Sequence, residues 1–190
     1  TNPVAILRDG GRAKTDADEL SIMEVVKVDI LKGWDVSATY NVTSYNGLKD
    51  ILKKTITFNN PEDGSTYSYQ SPNSIKNIDY RHNQQTFILQ TNFDLNFGKH
   101  NVDVLLGHEY YKLTRKYLYA QGEGGFSPSI TELNAFANKK DNGSYKLNYN
   151  VEGFFGRAQY NYDDKYFASA SYRRDASSRF AKENRWGNFW

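Results

Sequence analysis

The sequence predicts an all-β, antiparallel, up-and-down transmembrane β-barrel segment, about six to seven strands of a larger barrel. Three observations predict it. Apolar and polar residues alternate with a period of two over several stretches, brief reversals recur at Lys32-Gly33, Gly98-Lys99-His100 and Asp163-Asp164, and long polar connections lie opposite them. Successive side chains of a strand point to opposite faces, so such alternation gives each strand one oily and one wet side. Short turns on one side and generous loops on the other are what a barrel wall requires, whereas structureless loops beyond about 15 residues are uncommon in a compact soluble sandwich.

Residues 1–20 are polar, with Asn2-Pro3, Gly10-Gly11 and mixed charge, and read as a loop. Residues 21–31 are rich in Val and Ile, which favours a strand over a helix. Ile22, Glu24, Val26, Val28 and Ile30 share one face of it. After the Lys32-Gly33 turn, Trp34, Val36, Ala38, Tyr40 and Val42 alternate with Asp35, Ser37, Thr39, Asn41 and Thr43. Residues 45–82 read as a long connection, punctuated by Asn46-Gly47, Asn60-Pro61 and Ser71-Pro72, with short strands at 55–58 and 66–70 that extend the sheet beyond the membrane.

The clearest strand follows. Phe87, Leu89, Thr91, Phe93, Leu95 and Phe97 share one face against Ile88, Gln90, Asn92, Asp94 and Asn96. Past the turn at Gly98-Lys99-His100, a return strand places Val102, Val104, Leu106, His108 and Tyr110 together and runs to about residue 119. Residues 121–145 form a second long polar connection. The last hairpin puts Phe154, Gly156, Ala158, Tyr160 and Tyr162 on one face and Phe155, Arg157, Gln159 and Asn161 on the other. Across the Asp163-Asp164 turn, Tyr166, Ala168, Ala170 and Tyr172 continue the apolar face, and Phe167, Ser169, Ser171 and Arg173 the polar one.

Composition narrows the function classes. The 190 residues suffice for one ordinary domain, but the chain starts on Thr1 without a methionine and stops on Trp190 in mid-pattern, so a fragment is expected. No apolar run of 18 residues is present, which excludes a transmembrane helix within these residues and says nothing of a barrel. A negative mean hydropathy is compatible with membrane residence when every second residue faces a wet lumen. Aromatic residues make up 15%, with 15 Tyr, whose apolar ring and wet hydroxyl suit a membrane boundary. A net charge of +2 argues against a nucleic-acid partner. The absence of Cys excludes disulfides, thiolate metal sites and cysteine nucleophiles.

The last hairpin resembles a known family. The residues Phe155-Gly156-Arg157-Ala158, Tyr160-Asn161-Tyr162, Lys165-Tyr166, Ala168-Ser169-Ala170-Ser171, Arg173-Arg174-Asp175, Ser177-Ser178-Arg179-Phe180 and Asn184-Arg185-Trp186-Gly187 look like the SusC/RagA family of TonB-linked outer-membrane transporters. Asn2-Pro3-Val4-Ala5, Phe97 to Val102 and Leu105-Leu106-Gly107-His108-Glu109 are similar to family segments as well, while Ala176 and Ala181 stand where the family usually has Gly. The resemblance implies that residues 1–190 are part of a TonB-dependent receptor barrel of about 22 strands. It implies that the plug domain, the TonB box and the signal peptide lie N-terminal to residue 1. It also implies import of a glycan or peptide substrate across a Gram-negative outer membrane of Bacteroidetes type. The implied partners are a SusD-like surface lipoprotein, the TonB complex through parts outside this chain, and outer-membrane lipids. No cofactor and no enzymatic activity are implied. The rival readings are a secreted β-rich carbohydrate-binding module, which needs Phe87, Phe93 and Phe97 in a closed core, and a passive outer-membrane porin.

No catalytic or metal site is assigned from the residues, and the substrate-binding residues stay unassigned. His82, His100 and His108 lack metal-ligand spacing, and His108 lies beside Val104 and Leu106 as a boundary or packed residue. Residues 59–64 have Pro61 at the third position of a calcium-type loop and no bidentate Glu. Gly122-Glu123-Gly124-Gly125 lacks the Lys-Ser/Thr of a phosphate loop, and no G-x-S-x-G elbow is present. Arg173, Arg174, Arg179, Lys182 and Arg185 read as a charged rim paired with Asp175 and Glu183, the alternative being contact with anionic lipid headgroups or an acidic cargo. Gln159, Asn161, Ser169, Ser171, Asn92 and Asp94 face the expected lumen. The sequons at Asn41 and Asn142 carry no meaning in a bacterial outer membrane.

Overall fold

The computed structural model describes residues 2–127 and 129–190. It contains a short helix, α1 (Pro3–Asp9), and nine strands: β1 (Gly11–Leu31), β2 (Trp34–Lys53), β3 (Ile56–Asn59), β4 (Thr66–Tyr69), β5 (Ser74–Phe97), β6 (His100–Gly125), β7 (Phe136–Tyr162), β8 (Tyr166–Ser177) and β9 (Trp186–Phe189). Seven of them form one sheet in the order β1-β2-β5-β6-β7-β8-β9, and β3 and β4 pair separately as a hairpin. The chain is thus an all-β, up-and-down segment of an antiparallel barrel wall.

The turns fall where the sequence places them, and each has a physical cause. Gly33 (φ 78°) and Gly98 (φ 63°) supply the left-handed backbone of the first two reversals. Asp163 (φ 51°) and Asp164 (φ 53°) supply it in the third, and Lys165 N–H closes the turn on the Tyr162 carbonyl at 3.0 Å. Neighbouring hairpins are tied at these tips: Asp94 N–H donates to the Gly33 carbonyl at 2.7 Å and Asp163 N–H to the Lys99 carbonyl at 2.8 Å.

The strands are longer than expected. Residues 1–20 are not a loop: Asn2 caps α1 by accepting from Val4 N–H at 3.0 Å, Pro3 opens the helix with its preset φ, and β1 begins at Gly11. The connection expected at 45–82 shrinks, because β2 runs on to Lys53 and β5 starts at Ser74; the short strands between them form their own hairpin instead of extending the main sheet. Residues 121–145 likewise belong largely to β6 and β7, joined around a 3-10 turn at Leu133–Ala135. The physical reason is common to all three. These strand portions carry polar residues on both faces, so the period of two that marks a half-buried strand is absent.

Contacts divide the chain into two compact units. The first holds the stretch up to Glu19, Tyr45–His82 and Arg115–Lys146. Its core is small and dry: Ile75 and Phe136 are fully buried with Leu52 and Ala135, and Ile130 and Leu133 pack against them. The second holds Leu20–Ser44, Asn83–Thr114 and Leu147–Trp190. Here Phe87, Leu89 and Tyr160 are 38, 43 and 38% exposed, and the half-buried Phe93 stacks on Trp34 at 5.6 Å. Among the described residues no second layer covers them, as a sandwich would require. A soluble monomer of 21.8 kDa exposes about 9,300 Å² by the usual scaling, whereas this chain exposes 13203 Å².

Candidate functional site

The second unit presents two contrasting sheet faces, fixed by the β7–β8 register. Tyr162 pairs Tyr166, Tyr160 pairs Ala168, Ala158 pairs Ala170 and Gly156 pairs Tyr172, so the apolar set faces one way. Asn161 pairs Phe167, Gln159 pairs Ser169, Arg157 pairs Ser171 and Phe155 pairs Arg173 on the other.

The apolar face carries two aromatic belts. Near the turns, His100 stacks on Phe97 at 5.4 Å, meets Tyr162 at 4.9 Å, and hydrogen-bonds the Tyr160 hydroxyl through Nδ1 at 2.7 Å; Tyr162 meets Tyr166 at 6.4 Å. Further along, His108 packs on Phe154 at 4.7 Å and bonds Glu152 Oε1 through Nε2 at 3.0 Å. Phe154 in turn stacks on Trp186 at 6.1 Å, beneath the Arg174 guanidinium. Between the belts this face of β6, β7 and β8 offers Val102, Val104, Leu106, Gly156, Ala158, Ala168 and Ala170, without a charge. At about 3.4 Å per residue, His100 and His108 lie on the order of 27 Å apart along the strand. At the strand tilt of about 35–45° usual in an outer-membrane barrel this is about 20 Å of height, against an apolar band of about 25 Å flanked by such aromatic girdles.

The polar face is built from ion pairs and amides. Arg173 donates through Nε to both oxygens of Asp175 at 2.8 and 2.9 Å and through a second nitrogen to Glu109 at 2.7 Å. Its guanidinium lies 5.5 Å over the Phe155 ring. That ring covers Gly107, where any Cβ would overlap it, so glycine here gives the aromatic its seat. Towards the turns a shallow groove of about 410 Å³ opens among Asp94, Asn101, Asp103, Gln159, Asn161 and Ser169, with Phe167 standing 71% exposed at its side. Arg157 approaches Asp103 at 3.8 Å. Amides and carboxylates around an exposed ring suit a hydrated, hydrogen-bonding surface.

Several residues singled out in the sequence meet here. Asp94, Gln159, Asn161 and Ser169 line the groove; Asn92 instead donates to Asp35 Oδ1 at 2.9 Å, and Lys27 Nζ pairs with Oδ2 of the same carboxylate at 3.3 Å. The basic cluster does not form one rim. Arg173 and Arg174 are consecutive in β8 and project to opposite faces, Arg179 lies 3.9 Å over Tyr149, and Arg185 bonds the Phe180 carbonyl at 3.1 Å. Asp175 pairs with Arg173 as expected, but no ion pair joins Glu183 to the cluster among the described residues. Glu109 and Trp186 enter the sequence analysis only within the family-like segments, without a role in either face. Glu109 was legible from the tight Gly98-Lys99 turn, which fixes its parity on β6.

His82 stacks on Tyr45 at 5.0 Å, its Nδ1 buried without a hydrogen-bond partner. In the loop expected not to bind calcium, Asp63 accepts from Ser65 N–H at 2.8 Å and Asn60 from Glu62 N–H at 3.2 Å; the Ser65 contacts hold the Asp63 carboxyl below its ordinary range. These acceptors serve the turn itself.

No protein-family model matches the chain. It is 29% identical over 99 residues to TonB-dependent receptor P3 of Formosa agariphila, a match covering 51% of this chain and 10% of that protein. It is 27% identical over 135 residues to TonB-dependent receptor SusC of Bacteroides thetaiotaomicron, covering 67% of this chain and 13% of that protein. Among solved structures, the RagAB peptide transporter superposes with a TM-score of 0.81 at 20% identity, over 96% of this chain and 20% of that one. The chain is thus similar to barrel segments of SusC/RagA-type TonB-dependent receptors. The RagAB peptide importer in its open-open state gives the same picture, with a TM-score of 0.80 at 21% identity. The chain spans between a tenth and a fifth of the length of these relatives.

Proposed function

We propose that residues 1–190 form part of a TonB-dependent outer-membrane transporter of a Gram-negative bacterium, with the belted face in lipid and the amide-lined face towards an aqueous lumen. One observation carries the reading: the two aromatic belts on one sheet face, separated by an uncharged band about 20 Å high at the usual strand tilt. The backbone groups of such a segment are satisfied between strands, the condition for crossing hydrocarbon. The transported substrate is an oligosaccharide or peptide, taken up with a SusD-like surface lipoprotein and released when the TonB complex acts on a plug outside these residues. The names of the relatives support this reading. It is a transport role and needs no catalytic group from this chain.

The rival carbohydrate-binding module fares worse, since Phe87 and Phe97 are 38 and 55% exposed where it needs them enclosed. Spin labels at Ala168 and Ser169, neighbours on opposite faces, test the orientation in the membrane-inserted protein. Oxygen, which partitions into lipid, is expected to relax the first and a water-soluble nickel complex the second; equal access of the nickel complex to both would overturn the reading. Substrate uptake that persists unchanged after the TonB complex is disabled would point to the passive porin.

A further inference from the structure

The apolar face holds a feature that wall-building alone does not require. A furrow of about 440 Å³ runs over Gly156, lined by Val104, Leu106, Phe154, Ala158, Ala170 and Tyr172. At its belt end stands Arg174, directly opposite Phe154 in the strand register and two residues along the same face from Tyr172. Its guanidinium lies 5.0 Å over the Trp186 ring. Among the described residues no carboxylate pairs with it. The nearby candidates are engaged elsewhere: Glu152 by His108, and Asp175 and Glu109 by Arg173 on the opposite face.

The groups around this cation are donors. Asn188 sits across from Arg174 in the β8–β9 pairing, and its Oδ1 accepts from the Tyr172 hydroxyl at 2.7 Å, which leaves its amide nitrogen to donate outward. A planar guanidinium beside an amide N–H₂ is a fork suited to phosphate oxygens. An unpaired cation on a face turned to hydrocarbon is stabilised when an anion from the headgroup layer meets it.

We propose that this furrow and Arg174 together hold an anionic phospholipid of the surrounding membrane, one whose phosphate charge no headgroup cation offsets. Its acyl chain lies along Leu106, Ala158 and Ala170, and its phosphate sits between Arg174 and Asn188. The lipid belongs to the leaflet on the long-loop side, because the short turns are at the other end of the same strands. The inference rests on the membrane-facing reading above. It adds selectivity for one lipid chemistry, which that reading does not need.

The test uses the natural full-length protein in detergent, titrated with phosphatidylglycerol, phosphatidylcholine or inorganic phosphate and followed by native mass spectrometry. Phosphatidylglycerol is expected to bind about tenfold more tightly than phosphatidylcholine. Arg174→Gln is expected to abolish that preference, Arg174→Lys to keep part of it, and Ala158→Leu, which fills the furrow, to weaken both lipids while sparing the preference. Equal binding of the two lipids, an unchanged preference in Arg174→Gln, or displacement of phosphatidylglycerol by inorganic phosphate at similar concentration would overturn the proposal. Flotation with vesicles separates the two failures. Protein that floats without lipid preference sinks this inference alone, and protein that does not float sinks the transporter reading with it.

Discussion

The two compact units are made largely from the same strands, yet they place their apolar groups in opposite ways. In the first, Ile75 and Phe136 are sealed against Leu52 and Ala135 as in any water-soluble core. In the second, Leu113 is the one fully enclosed large apolar side chain among the described residues, while Leu89, Leu95, Leu106 and Phe154 stand 43 to 50% exposed on one face. Burial is worth about 25 cal/mol per Å² wherever the apolar surface leaves water, whether into protein or into lipid. The first unit therefore buries its apolar groups within itself, and on the proposed reading the second buries them in lipid.

That contrast orders the expected effects of substitution. Phe136→Ala, which empties a fully buried site, should cost about 3–5 kcal/mol and act on the first unit in any medium. Urea unfolding read by protection of strand amides near Ile75 checks it; a cost below ~1 kcal/mol would mean that this cluster is no core. Leu106→Arg on the belted face should cost about 2–4 kcal/mol in vesicles, while Ser169→Arg on the other face changes little. Equal costs for the pair would erase the distinction between the faces.

Smaller effects sharpen the same picture. Gly107→Val drives a side chain into the Phe155 ring and should cost about 1–3 kcal/mol through overpacking. The double variant Gly107→Val with Phe155→Ala should recover part of that loss. The least effect is expected at the turn. The Lys99 ammonium, and then that of Lys165, hold the Asp163 carboxyl below its ordinary range. This small contribution is present above the unfolded value of about 4 and is lost as pH falls through the depressed folded one. Asp163→Asn tolerates the same left-handed backbone, so the stability gap between it and the parent should be measurable at neutral pH and vanish in acid; a gap that grows in acid contradicts the pairing.

What was legible in the sequence follows the same division. In the second unit apolar and polar residues are sorted strictly, so the shared face of Tyr160 and Ala168 and the opposite faces of Phe154 and Phe155 could be read from alternation alone. In the first unit polar residues occupy both strand faces outside a few core positions, the sorting fades, and residues 11–19, 45–53 and 136–145 look like loop although they are strand. Helix α1 did leave a signal, the Asn2 cap followed by Pro3, which a reading dominated by turn residues passes over. The Arg173 bridge to Glu109 was out of reach because it needs the order of three strands, β6, β7 and β8, and not just one hairpin. The groove residues were legible as polar and inward, but not as neighbours.

The ties between turn tips bear on how such a wall assembles. The smallest slip that keeps oily residues on the oily side is two residues, about 6.8 Å, since a slip of one inverts every side chain. Alternation alone does not oppose that slip in a long, evenly patterned strand. A hairpin displaced by it would carry the Gly33 carbonyl out of reach of Asp94 and the Lys99 carbonyl out of reach of Asp163. Each arriving hairpin is thereby indexed against its predecessor at one end of the wall, and errors of register are rejected one joint at a time.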